Sequence, residues 1–123
     1  MSTSPGKRFY QRQLEFLESG DVDGLVRSQY QKDATLVSFD VTVRGHDDLV
    51  THFRNYMAHL GSLKVLSTDK FTETDDSIFF EATARTDHGV ARVYDVFILD
   101  GGLATHHFTG LLSFEPHDDA GAA

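Results

Sequence analysis

Residues 77–114 read SIFFEATARTDHGVARVYDVFILDGGLATHHFTGLLSF, and this run decides the architecture. Val, Ile, Phe, Tyr and Thr dominate it, a composition that favours pleated, half-buried backbone. Asp87-His88 and Asp100-Gly101 interrupt it as tight hairpin turns would. It divides into three long strands, 77–86, 89–99 and 103–114, and a fourth of the same character, 63–72, precedes them across Asp75-Asp76. Phe79-Phe80, Val96-Phe97 and Ile98-Leu99 put apolar side chains on both faces, because successive strand residues point opposite ways. One face can take helices and the other needs a second layer, so a homodimer through the sheet is expected.

The preceding segments supply the helices. In 7–18, Tyr10, Leu14 and Leu17 share one side of a 3.6-residue wheel with Phe9 and Phe16 beside them, and Gly20 ends the pattern. Asp21 is placed to cap a second short helix carrying Val22, Leu25, Val26 and Tyr30, which Lys32-Asp33 closes. Two short β-rich stretches follow, 34–39 and 41–44. Gly45 then breaks the strand, and Asp47 and Asp48 lie in the first turn of a longer helix, where the backbone dipole favours negative charge. Leu49, Phe53, Tyr56, Met57 and Leu60 give that helix its apolar side. Helices segregated to one face of an antiparallel sheet define an α+β domain over 7–114, with 1–6 and 115–123 as flexible tails.

Composition narrows the function classes. Nineteen acidic against eleven basic residues give a net charge of −8, which repels polyanions and excludes nucleic acid and anionic membrane surfaces as partners. No apolar run is long enough to span a bilayer, so a cytoplasmic location is expected. The absence of cysteine excludes disulfides and thiolate chemistry. No glycine-rich phosphate loop, nucleophile elbow or histidine spacing suited to zinc is present, so neither cofactor nor metal is expected.

Strand register points to a site. With Asp100-Gly101 as a two-residue turn, counting back places Asp95 opposite His106, and counting across Asp87-His88 places Phe80 on the other side of Asp95. Ile78, Phe80, Val93, Phe97 and Phe108 then form an apolar wall around one carboxylate and one imidazole, with space left by Ala82, Ala84 and Ala91. Gln13 projects from the apolar stripe of the first helix and needs a partner there. His52 and Tyr56 on the long helix and Ser38 near the end of the first strand are further candidates. The plain alternative is that Asp95 and His106 satisfy each other in a core or dimer seam, with His52 partly exposed.

Several short motifs recur together in a known family: Ser19-Gly20-Asp21, YQKDA at 30–34, Val43-Arg44-Gly45, VYDVF at 93–97 and Asp100-Gly101-Gly102. In order and spacing the chain resembles the nuclear transport factor 2-like superfamily, of the SnoaL-like polyketide cyclase and steroid delta-isomerase type. The resemblance implies a cone-shaped fold, a curved sheet packed on three helices and enclosing a pocket. It sets Asp95 at the position of the pocket acid that in steroid isomerases hydrogen-bonds the developing oxyanion. The isomerase's helix tyrosine falls at Gln13 and its catalytic base near Ser38, with Asp40 the nearest carboxylate. The Asp-Arg-Asp set of limonene epoxide hydrolase-like members is not visible, the last strand offering His106 and Phe108.

The expectation is a cyclase or isomerase acting by acid/base chemistry on an apolar, carbonyl-bearing substrate such as a polyketide, terpenoid or steroid. Asp95 and His106 are its expected catalytic pair, and Gln13, His52, Tyr56, Phe80, Phe97, Phe108 and Ser38 would bind substrate. Two competing classes are a non-catalytic carrier of a small apolar ligand and an association module working through its sheet.

Overall fold

A computed structural model describes residues 3–117. Helix α1 (Pro5–Ser19) opens on a Ser4 cap that accepts from the Lys7 amide, has Pro5 in its first turn, and closes on Gly20 in the left-handed region. Helix α2 (Val22–Gln29) is capped by Asp21, whose carboxylate accepts from the Gly24 amide at 2.9 Å. Strand β1 (Tyr30–Val37) follows without a loop, so Tyr30 both ends α2 and begins β1. Strand β2 (Thr42–Arg44), helix α3 (His46–Leu60) and strands β3 (Leu63–Glu73), β4 (Ser77–Thr86), β5 (Gly89–Asp100) and β6 (Leu103–Pro116) complete the order.

The strands form one open six-stranded sheet in the order β2-β1-β6-β5-β4-β3. Every neighbouring pair is antiparallel except β1 and β6, which run parallel. That pair joins the early hairpin to the late strands, and local spacing carries no signal for it. Register shifts interrupt β1–β6, β3–β4 and β5–β6, and such bulges bend a sheet and increase its twist. The α+β cone expected from the sequence is the fold observed, with Phe9, Tyr10, Tyr30, Phe53, Phe80 and Phe97 in the core between helices and sheet. No described helix is long and apolar enough to cross a membrane.

Three local expectations change. The β5–β6 turn is Gly101-Gly102, with φ of 61° and 83°, so that Asp100 pairs with Leu103; two consecutive positive φ values suit a type I′ hairpin and favour two glycines. Lys32 and Asp33 lie inside β1 and close no turn. The ordered elements also extend past 7–114. Helix α1 begins at Pro5, where Glu73 of β3 accepts from the Ser4 hydroxyl and from the Gly6 amide, and β6 continues to Pro116. The remaining tail positions, 1–2 and 118–123, lie outside the described residues.

Candidate functional site

Asp95 lies on the helix-facing side of β5, but its partner is His107 rather than His106. His107 Nε2 lies 2.6 Å from Asp95 Oδ1. The correction has two parts. Moving the turn from Asp100-Gly101 to Gly101-Gly102 shifts the pairing sum by two and preserves the facing side. A bulge at Thr105 shifts it by one more and exchanges the faces of β6. Asp95 thus stands opposite Thr109, and His107 lies diagonally across from it, opposite Phe97. Its ring stacks on Phe97 with centroids 3.9 Å apart. His106 is exposed on the outer face, where its ring stacks on Phe108.

Helices α1 and α2 and strand β1 extend this pair into a buried polar chain. Gln29 Nε2 donates to the Phe9 carbonyl at 2.8 Å and reaches Gln13 Oε1 at 3.4 Å. Gln13 Nε2 donates to the Tyr30 hydroxyl at 3.1 Å, and that hydroxyl lies 2.8 Å from His107 Nδ1. Gln13 is 2 % exposed, Gln29 2 %, Tyr30 1 % and His107 4 %, and no buried side-chain N or O among the described residues lacks a partner. Burial is the main reason the Tyr30 phenol is held well above its ordinary range, with the charge on Asp95 adding to it and the bond from Gln13 opposing it. Tyr30 is therefore a neutral donor at any ordinary pH.

Asp95 ends the chain. Its side chain keeps 14 % of its surface open, and its Oδ2 accepts no hydrogen bond from any described residue. Burial and then the charge on Asp95 raise the Tyr56 phenol, although the residue is half exposed. Tyr10 is raised by burial too, opposed by its 2.6 Å bond to Thr68 Oγ1 and reinforced by Asp95. His52 is lowered by burial, and its ring stacks on Tyr56. All eleven Lys and Arg residues are exposed, so no cation is buried with Asp95.

The other candidates separate. Ile78, Phe80 and Phe97 face inward as expected but pack on the helices as core, with Phe80 against Tyr10 at 4.3 Å and Phe97 against Phe9 at 5.0 Å. Phe108 lies on the outer face and is 38 % exposed, a consequence of the same bulge. The Ser38 hydroxyl is used in the β1–β2 turn, accepting from the Asp40 and Val41 amides and donating to the Val41 carbonyl. Two open surface depressions, of about 560 and 520 Å³, lie beside Gly45 and beside Pro116, and neither is lined by Asp95. No group of three metal-ligating side chains occurs among the described residues, and both His107 nitrogens are engaged.

An NTF2-like protein of unknown function from Burkholderia pseudomallei K96243 superposes with a TM-score of 0.75 at 17 % identity, over 89 % of this chain and 92 % of that one. The chain has the nuclear transport factor 2-like fold. Within that fold it is similar to a candidate isomerase of the SnoaL-like family from Agrobacterium tumefaciens C58, at TM-score 0.78 and 13 % identity over 90 % of this chain and all of the other. A candidate SnoaL-like polyketide cyclase from Shewanella putrefaciens CN-32 matches at 0.76 and 8 % identity, over 89 % and 81 % of the two chains. No family model and no curated protein sequence matches. At such identities the NTF2-like likeness concerns backbone architecture, and function has to be argued from the site.

Proposed function

We propose that this protein is an acid/base enzyme of the isomerase or cyclase kind, in which Asp95 moves a proton at a carbon beside the carbonyl of a neutral, largely apolar substrate. One observation carries the reading: Asp95 ends a fully satisfied buried polar chain, yet retains an unpartnered oxygen within reach of solvent.

In this reading Asp95 Oδ2 takes the proton from the α-carbon. The C–H electron pair moves into the new C=C bond as the carbonyl π pair moves onto oxygen. In an isomerase acting on a β,γ-unsaturated ketone the proton returns from Asp95 to the γ-carbon of the dienolate, and in a cyclase the enolate attacks a second carbonyl and the alkoxide so formed takes the proton back from Asp95. The His107 N–H steadies the ionised carboxylate before the transfer. Tyr56 supplies a neutral phenol for the developing oxyanion. The substrate is neutral because a carboxylate or phosphate would meet the Asp95 charge with no buried cation to offset it. The SnoaL-like neighbours support the class of chemistry, and polyketides, terpenoids and steroids all meet the description. A cytoplasmic location fits such small-molecule chemistry.

The test is exchange of α-hydrogens for deuterium in ²H₂O, followed by NMR with 2-tetralone as a neutral ketone and a carboxylated tetralone as its anionic counterpart. Wild type is expected to accelerate exchange of the neutral ketone alone. Asp95→Asn should reduce that acceleration by about 10²-fold or more. Equal rates in wild type and Asp95→Asn would leave a non-catalytic carrier as the better description.

A further inference from the structure

The buried chain has a direction, and its two ends determine it independently. At one end stands the Phe9 carbonyl, which can only accept, so the Gln29 side chain must present its NH₂ group there. The same NH₂ meets Gln13 Oε1, which leaves Gln13 to present its own NH₂ to the Tyr30 oxygen. With one lone pair of that oxygen taken and its phenol neutral, the Tyr30 proton is directed at His107 Nδ1. At the other end the Asp95 carboxylate accepts and calls for a proton on His107 Nε2. Both ends require the same ring: Nδ1 bare, Nε2 protonated.

We infer that Tyr30, oriented by Gln13 and Gln29, is a positioning residue that locks His107 in the Nε2–H form and keeps a second proton off Nδ1. A proton on Nδ1 would point at the Tyr30 proton, and turning that proton away would leave it buried with no acceptor, because the hydroxyl's other neighbour, Gln13, presents an N–H. The lock has a chemical consequence. His107 has no lone pair to offer a substrate, so it is a fixed donor rather than a base, and its proton occupies Asp95 Oδ1. Only Oδ2 of Asp95 is left to react. The inference rests on the proposed function solely for giving Asp95 its proton-carrying role; the placement of protons stands on the hydrogen bonds alone.

The experiment uses the full chain at pH 7, with ¹⁵N-labelled histidine and two-bond ¹⁵N–¹H correlation spectra, which distinguish bare from protonated ring nitrogens. His107→Gln assigns the signals, with His106→Gln as a control. Wild type is expected to show His107 with Nδ1 in the bare range and Nε2 in the protonated range. A proton on Nδ1, or a ring protonated at both nitrogens, would overturn the inference, and this measurement needs no variant of Tyr30. In Tyr30→Phe the Nδ1 signal should move toward the protonated range, because the opposing hydroxyl proton is gone. An unmoved signal, or one moved further into the bare range, would assign the lock to Asp95 alone. Since no substrate is involved, failure here is separable from failure of the deuterium-exchange test.

Discussion

His106 and His107 are adjacent in sequence and opposite in circumstance, and the contrast makes a direct residue-scale prediction. His107→Gln removes a ring bonded on both sides and stacked on Phe97, leaving the Tyr30 hydroxyl proton without its acceptor and Asp95 Oδ1 without its donor. Each orphaned group costs about 1–3 kcal/mol, so urea denaturation should show a loss in that range or above it. His106→Gln, on the outer face, should stay within about 0.5 kcal/mol of wild type. His52 gives a pH prediction. Its depressed value in the folded protein, due first to burial, means that the unfolded chain binds more protons as pH falls through and below about 6.5. The contribution of His52 to stability is therefore present above that pH and lost below it. The melting temperature should fall on acidification from neutral pH, and His52→Gln should make that slope shallower. The inward-facing Asp95 and the buried amide of Gln13 were legible in the sequence, the latter because an amide in an apolar stripe demands a partner. Gln29 carries the same signal, since it completes the stripe of Val22, Leu25 and Val26. His107 was hidden by parity: one extra strand residue reverses every later side chain.

At the scale of elements, the helices and four long strands could be read from periodicity and turn residues, because those signals are local. The parallel contact of β1 with β6 and the bulges could not. They depend on partners distant in sequence, as with Thr105, whose hydroxyl donates to the Ile98 carbonyl across the bulge. The start of α1 is a second case, because Glu73 from a strand 67 residues away accepts the Gly6 amide at 3.2 Å and also the Ser4 hydroxyl. A helix N-terminus held by a carboxylate gains both hydrogen bonds and a favourable dipole interaction. Glu73→Ala should cost about 1–2 kcal/mol in denaturation, with amide exchange accelerated first at Gly6 and Lys7. Equal acceleration throughout α1 would mean that the clamp stabilises the whole helix rather than its first turn.

For the molecule as a whole, the outer sheet face raises the question of a second copy. Phe79 of β4, Val96 of β5, Phe108 of β6 and Val37 of β1 are successive register partners, so they form one apolar row across four strands. Phe79 is 46 % exposed and Phe108 38 % exposed. The charges beside the row pair among themselves, Lys70 and Arg92 with Glu81 and Arg92 also with Asp69, so this cluster carries no net charge in a chain whose total is −8. Two like-charged molecules repel least where each is locally neutral, and an apolar row crossing its own copy about a two-fold axis satisfies both faces with one surface. We therefore propose a homodimer through this face, the layer that the sequence pattern calls for. Light scattering coupled to gel filtration should give twice the chain mass at micromolar concentration. Phe79→Glu should give the monomer with an unchanged far-UV spectrum, since the side chain is half exposed within the protomer. A monomeric wild type would sink the proposal. A dimer untouched by Phe79→Glu would place the contact on another surface, with the half-buried Leu112 and Phe114 at the end of β6 the next to change.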